Sequence, residues 1–265
     1  MTAPILLLGA GRMGVALIQG WSLTEAFEPR DLILIDPNPG PEALAAVAQG
    51  ARLNPDPSLL AEAGAVLMAV KPQVWREATA PHIPHLSPDA VVVSIAAGVT
   101  TADLAKGFGG RRIARVMPTT AVAVAKGTAS IYAADRAARA VAHVLFGPVA
   151  AVADLDDEGL MDAATAVSGS APAYLYAFIE ALEAAGVAEG LTVEQAATLA
   201  RSTMIGAAAL MDGNPADPAE LRRQVTSPGG TTEAALKVLQ GEGGLPDLLK
   251  RAAHAAVARA GELSK

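Results

Sequence analysis

Ile5-Leu6-Leu7-Leu8-Gly9-Ala10-Gly11-Arg12-Met13-Gly14 is an apolar run that breaks into glycines at the spacing Gly-x-Gly-x-x-Gly. A short apolar run without a polar face reads as a buried strand, and the pattern from Met13 to Trp21 reads as a helix. In that setting each glycine has a task. Gly9 permits the tight turn, Gly11 lets backbone approach a pyrophosphate, and Gly14 lets helix and strand pack closely, while the helix start offers free N–H donors. Gly9, Ala10, Gly11, Arg12, Met13 and Gly14 are therefore candidate dinucleotide contacts. An ordinary glycine-rich turn shares the spacing; the strand-helix-strand context is what favours a ligand.

Further along, apolar runs recur at Leu32 to Ile35, Ala65 to Val70, Ala90 to Ile95, Ile113 to Met117, Thr128 to Tyr132 and Val149 to Ala153, with helical patterns between most of them. Such alternation predicts an α/β, Rossmann-type doubly wound sheet with its ligand edge at the strand carboxyl ends. After Asp154 the texture changes to Ala-rich helical stretches: Gly159 to Ala166, Ala173 to Ala185, Val193 to Met211, Pro218 to Val225, Thr232 to Gln240 and Pro246 to Glu262. The expected division is a dinucleotide-binding domain over 1–154 and an all-helical domain over 155–265.

The 265 residues suffice for one large domain or two moderate ones, and 52% hydrophobic against 18% charged residues argues for a folded chain. Twenty Lys and Arg against 27 Asp and Glu leave a net charge of −7, so there is no global basic field to hold nucleic acid or anionic lipid. Absence of cysteine removes disulfides, thiolate metal sites and a cysteine nucleophile together. The longest stretch free of Asp, Glu, Lys and Arg, Ala163 to Ile179, is broken by Ser, Gly and Pro and is too short for a membrane span. A cytoplasmic protein without a membrane partner is the expectation.

Asp36 closes the second strand, where an acid commonly takes the adenosine ribose hydroxyls. A carboxylate there repels a 2′-phosphate, and no Arg or Lys follows in Pro37-Asn38-Pro39-Gly40, so NADH is expected over NADPH. The same Asp also suits a turn before Pro37. Lys71-Pro72 and Ala96-Ala97-Gly98 end later strands on the same edge. Lys71 adds a cation there, unless it is an ordinary surface charge; the small residues admit a flat ring such as nicotinamide, or simply pack tightly.

In the helical half, Val225-Thr226-Ser227-Pro228-Gly229-Gly230-Thr231-Thr232-Glu233 links two helical patterns. Gly229 and Gly230 with the hydroxyl residues form a run of N–H groups at a helix start, a place for a carboxylate on Gly230 and Thr231 with Ser227 and Thr232 at its rim. A plain interhelical turn capped by Thr fits the pattern as well. The histidines His82, His85, His143 and His254 are scattered, Glu180 and Glu183 read as a solvated pair, and neither a metal site nor a catalytic triad is expected. The chemistry is then left to a bound cofactor.

These residues together resemble the Δ1-pyrroline-5-carboxylate reductase family nearly end to end. The resemblance rests on Gly9 to Gly14, Ala69-Val70-Lys71-Pro72, Ala96-Ala97-Gly98, Arg115-Val116-Met117-Pro118, Ser168-Gly169-Ser170-Ala171-Pro172-Ala173-Tyr174 and Val225 to Thr232. It implies hydride transfer from NAD(P)H to a cyclic imine, giving L-proline, in a homodimer interlocked through the helical domain and often in a ring of dimers. It also implies that Ala69, Val70, Lys71, Pro72, Ala96, Ala97 and Gly98 meet the nicotinamide side, that Gly229, Gly230 and Thr231 anchor the substrate carboxylate, and that Thr232, with Ser227 beside it, presents a hydroxyl to the ring nitrogen. Thr119-Thr120-Ala121 stands where the family has Asn-Thr-Pro, and Ala171 replaces a glycine. Many members favour NADPH, against the reading of Asp36. Alternatives are another imine reductase, a hydroxyacid dehydrogenase, or a non-enzymatic NAD(P)-binding sensor or scaffold. The absence of any Lys between Lys126 and Lys237 counts against the dehydrogenase, and intact Ser227 to Thr232 against the sensor.

Overall fold

All four residues of the opening run are buried in the strand Ile5–Leu8 (β1). The computed structural model describes residues 4–263. The remaining strands are Leu32–Ile35 (β2), Arg52–Leu53 (β3), Ala65–Met68 (β4), Val91–Ser94 (β5), Ile113–Pro118 (β6), Gly127–Tyr132 (β7) and Ala150–Asp154 (β8), in one sheet of order β3-β2-β1-β4-β5-β6-β7-β8. Strands β1 to β6 pair in parallel, with Leu7 opposite Leu34 on one side and Leu67 on the other. The strand order turns back between β1 and β4, which opens the crevice that ligands of such sheets use.

The pleat explains why these strands lack a polar face. Ile5 and Leu7 join Leu32, Leu34, Leu67 and Val93 in one apolar cluster, whereas Leu6 and Leu8 join Ile33, Val66, Met68 and Val92 in a second. Successive side chains point to opposite sides, so both sides of the sheet are covered. Helices Arg12–Leu23 (α1), Pro41–Ala48 (α2), Trp75–Thr79 (α3), Thr101–Gly107 (α4) and Arg136–Phe146 (α5) fall between strands. Helix α1 lies so close to the 3₁₀ turn Thr120–Val124 that a Cβ on Gly20 would stand 2.0 Å from the Val122 carbonyl oxygen.

Three details depart from the sequence reading. Strand β7 runs antiparallel to β6, because the connection from Thr119 to Lys126 is shorter than the dozen or so residues a parallel crossover requires. The two-residue β3 has no apolar run to announce it. The fourth strand stops at Met68, which leaves Ala69 and Val70 in the loop beyond the sheet edge.

After the sheet come a 3₁₀ turn, Glu158–Leu160, the helix Met161–Ala164 (α6) and a π-helical turn, Thr165–Gly169, where the sequence suggested one helix. Helices Ala171–Ala188 (α7), Val193–Asp212 (α8), Pro218–Gln224 (α9), Thr231–Leu239 (α10) and Leu245–Leu263 (α11) follow. The chain falls into two compact units. One runs through Gly169 and takes in the end of the last helix from Ala256; the other is Ser170–Ala255. Strands do end at Asp154, but Met161 and Ala166 are buried, so the segment after the sheet belongs with the first unit.

Within the second unit, α7 and α8 pack through small side chains, with Gly186 close to Ala196. A capping box of Thr192 and Gln195 starts α8, and Arg201 pairs with Glu183 at 2.7 Å. Little else is covered: α7 has no buried residue, and only Ala196 and Ala200 are buried on α8. Tyr176 and Ile205 are each 70% exposed. No helix among the described residues is long and apolar enough to cross a membrane.

Candidate active site

The carboxyl ends of β1, β2, β4 and β5 carry the expected cofactor residues. Gly9 adopts φ +96°, a conformation costly for any residue with a side chain. Its N–H donates to the Ile35 carbonyl at 2.9 Å, which fastens the loop to β2. A Cβ on Gly9 would stand 3.0 Å from Val70 Cγ1, so the Gly9 turn lies directly against the Ala69-Val70 loop. A Cβ on Gly14 would stand 2.4 Å from the Gly9 carbonyl oxygen, whereas one on Gly11 would meet nothing within 4 Å. Gly9 and Gly14 thus satisfy the protein's own packing, and Gly11 leaves room for an outside group. Gly11 caps α1 with no side-chain hydrogen bond, so the first N–H groups, from Arg12 and Met13, are not capped by the residue before them. That uncapped helix start beside an open glycine fits a dinucleotide pyrophosphate.

Asp36 is fixed by more than its turn. Its Oδ2 accepts the Ala10 N–H at 2.7 Å and its Oδ1 the Asn38 N–H at 2.7 Å. Asn54, which the sequence reading missed, grips the Asp36 backbone. Its Oδ1 accepts the Asp36 N–H at 3.0 Å and its Nδ2 donates to the Asp36 carbonyl at 2.8 Å. Asn54 itself has φ +44°, a conformation Asn tolerates well, so the Asn-Pro pair at 54–55 was the available signal. Each carboxylate oxygen of Asp36 keeps a lone pair for a ribose hydroxyl.

The loops after β4 and β5 are held in turn. Ala69 N–H donates to the Leu8 carbonyl at 2.8 Å, Ile95 N–H to the Met68 carbonyl at 3.1 Å, and Ala96 N–H to Ser94 Oγ at 3.2 Å. Lys71 and Ala97 are exposed, Pro72 and Gly98 half-buried, and Ala96 buried. The Ala96-Ala97-Gly98 loop leads into α4, whose Thr101 bonds Glu158. That carboxylate also pairs with Arg115 at 2.7 Å. Burial pushes the Glu158 carboxyl up, but the hydrogen bonds from Thr101 and Arg115 outweigh it and hold it below the ordinary value. An Arg inside the apolar run Ile113 to Met117 was the sign that a partner was needed.

In the second unit, Ser227-Pro228-Gly229-Gly230 forms a tight turn. Gly230 N–H donates to the Ser227 carbonyl at 3.0 Å, and Gly229 has φ +70°, as the third position of a type II turn requires. Gly229 N–H is taken by Glu233 Oε2 at 2.5 Å, and this bond, with Lys237, holds the Glu233 carboxyl below the ordinary value. The first internal bond of α10 runs from Ala234 N–H to the Gly230 carbonyl at 3.2 Å, so the N–H groups of Thr231 and Thr232 precede it. The donors left to an outside carboxylate therefore lie one residue later than the sequence suggested. Ser227, Thr231 and Thr232 are exposed.

The departures from the resemblance have structural settings. Thr119 is buried, and its Oγ1 accepts the Thr128 N–H at 3.0 Å, securing the β6–β7 connection. Ala171 opens α7 with Pro172 in the first turn, where a missing N–H costs nothing.

Fold and site define an NAD(P)-dependent oxidoreductase: a Rossmann-type unit followed by helices. Residues 158–263 match the family described as pyrroline-5-carboxylate reductase dimerisation, and residues 4–98 match NADP oxidoreductase, coenzyme F420-dependent. A pyrroline-5-carboxylate reductase of Pseudomonas aeruginosa is 37% identical over 100% of this chain and 98% of its own. The structure of a pyrroline-5-carboxylate reductase from Coxiella burnetii aligns over 100% of both chains with a TM-score of 0.91 and 33% identity. A Plasmodium falciparum pyrroline carboxylate reductase, solved with NADP bound, shares the fold, with a TM-score of 0.81 and 24% identity over 100% of this chain and 99% of its own. The chain belongs to the pyrroline-5-carboxylate reductase family.

Proposed function

We propose that this chain reduces Δ1-pyrroline-5-carboxylate to L-proline, and that NAD(P)H supplies the hydride to the imine carbon. The observation that carries the reading is the chain-long 37% identity to a reductase of that name. Gly9 to Gly14 would hold the pyrophosphate, Asp36 the ribose, and Ala69 to Pro72 with Ala96 to Gly98 the nicotinamide end. The substrate carboxylate would sit on the α10 start at Thr231 and Thr232, next to the Ser227-to-Gly230 turn.

An imine accepts hydride when its nitrogen is protonated or hydrogen-bonded, since negative charge would otherwise build there. Thr232 Oγ is the donor assigned to that nitrogen, with Ser227 as its neighbour at the rim. Asp36 sets a preference for NADH. The working form is a homodimer built on the exposed apolar faces of the helical unit, and rings of such dimers are an outcome that sedimentation would reveal. A cytoplasmic setting goes with this reading. The test is proline formation from pyrroline-5-carboxylate with NADH and NADPH compared; no proline with either cofactor would overturn the assignment.

A further inference from the structure

Arg115 is 7% exposed in a strand whose neighbours Ala114 and Val116 are buried and apolar. A guanidinium in such a place requires a counter-charge, and Glu158 provides it through Nη1···Oε1 at 2.7 Å. Glu158 also receives two bonds from Thr101, the N–H on Oε1 at 2.8 Å and the hydroxyl on Oε2 at 2.7 Å. One carboxylate therefore joins β6, the segment after the sheet and the start of α4.

The loop from Ile95 to Thr100, containing Ala96-Ala97-Gly98, is anchored at its near end by Ile95 N–H on the Met68 carbonyl. At its far end Thr100 caps α4 by accepting the Asp103 N–H at 3.1 Å, and Thr101 is what ties that end to Glu158 outside the helix. Helix α4 has seven residues, too few to be a rigid support by itself. We propose that Glu158, braced by Arg115, is a positioning residue that acts through Thr101 to hold the Ala96-Ala97-Gly98 loop in the shape that receives the nicotinamide end of the cofactor. This rests on the reductase reading. The adenosine and pyrophosphate residues, on the loops after β1 and β2, make no bond to Glu158, so the effect is confined to one end of the cofactor.

Titration of the full chain with NADH and with ADP-ribose, which lacks the nicotinamide, separates the two ends. Glu158→Gln should weaken NADH about tenfold or more and ADP-ribose less than about twofold, in keeping with the loss of charge-assisted bonds. Thr101→Val keeps the N–H and loses the hydroxyl, so it should weaken NADH by about threefold and leave ADP-ribose unchanged. Equal losses for both ligands, or undiminished NADH affinity, overturn the proposal. If Glu158→Gln does not fold, Thr101→Val decides by the same criterion. A parent protein that binds neither ligand overturns the reductase reading itself. A parent that binds both and forms proline, beside variants with full NADH affinity, overturns the positioning role alone.

Discussion

Asp36 Oδ2 accepts the backbone N–H of Ala10 at 2.7 Å, so the acid at the end of β2 is tied to the glycine loop at the end of β1. Its charge is thereby held beside the loop that would carry the pyrophosphate. Because a carboxylate accepts ribose hydroxyls and repels a 2′-phosphate, NADH should exceed NADPH in kcat/KM. Asp36→Ser should move that ratio towards NADPH by about tenfold, roughly one charge-assisted bond. An unchanged ratio in an active variant would remove Asp36 from cofactor selection.

Gly14 and Gly11 should respond differently to the same added methyl. At Gly14 the new Cβ meets the Gly9 carbonyl at 2.4 Å, so Gly14→Ala should lose about 1–3 kcal/mol of stability as well as cofactor affinity. At Gly11 the Cβ meets nothing within 4 Å, so Gly11→Ala should melt with the parent and bind NADH more weakly. Thermal denaturation beside NADH titration checks both, and a Gly11→Ala protein with parental affinity would contradict the pyrophosphate placement.

Thr232 stands at the second position of α10, next to the turn that closes on Ser227. Loss of a hydrogen bond that strengthens in the transition state should lower kcat/KM of Thr232→Ala by roughly ten- to a hundredfold, with NADH affinity barely changed. Thr232→Ser should keep much of the activity because it keeps the donor. Parental turnover by a folded Thr232→Ala protein would reduce the hydroxyl to a helix-end feature and pass proton delivery to Ser227 or water.

Ile205 and Leu210 on α8 are 70% and 69% exposed, and α7 has no buried residue. Apolar surface on that scale calls for a partner. Sedimentation at micromolar concentration should give a dimer or a multiple of it, and Ile205→Glu should shift the population towards monomer. An active monomer on dilution would count against assembly through these helices.

Much of the candidate cofactor end was legible because it lies in contiguous stretches. Gly9, Gly11 and Gly14 occupy one turn, and the loop residues Ala69 to Pro72 and Ala96 to Gly98 end apolar runs. What escaped the sequence reading was the set of partners. Asn54 bonds Asp36 from 18 residues away, and Glu158 bonds Arg115 from 43 and Thr101 from 57. A lone Asn or Glu in a polar stretch carries no mark of the residue that it will meet.

By itself, the sequence determined most of the elements and the candidate ligand edge, though not β3 or the break of the segment after the sheet into three short turns, since hydrophobic period and glycine spacing are properties of adjacent residues and fix local backbone directly. That α7 and α8 are short of cover was seen only in the structure, where α7 has no buried residue and Ile205 and Leu210 of α8 stay exposed. Tertiary structure alone decided the direction of β7, the occupation of the Gly229 and Gly230 N–H groups, and the Arg115–Glu158–Thr101 linkage. Each of these depends on which polar groups become buried together, and a buried donor or charge takes whichever partner the folded chain brings within reach.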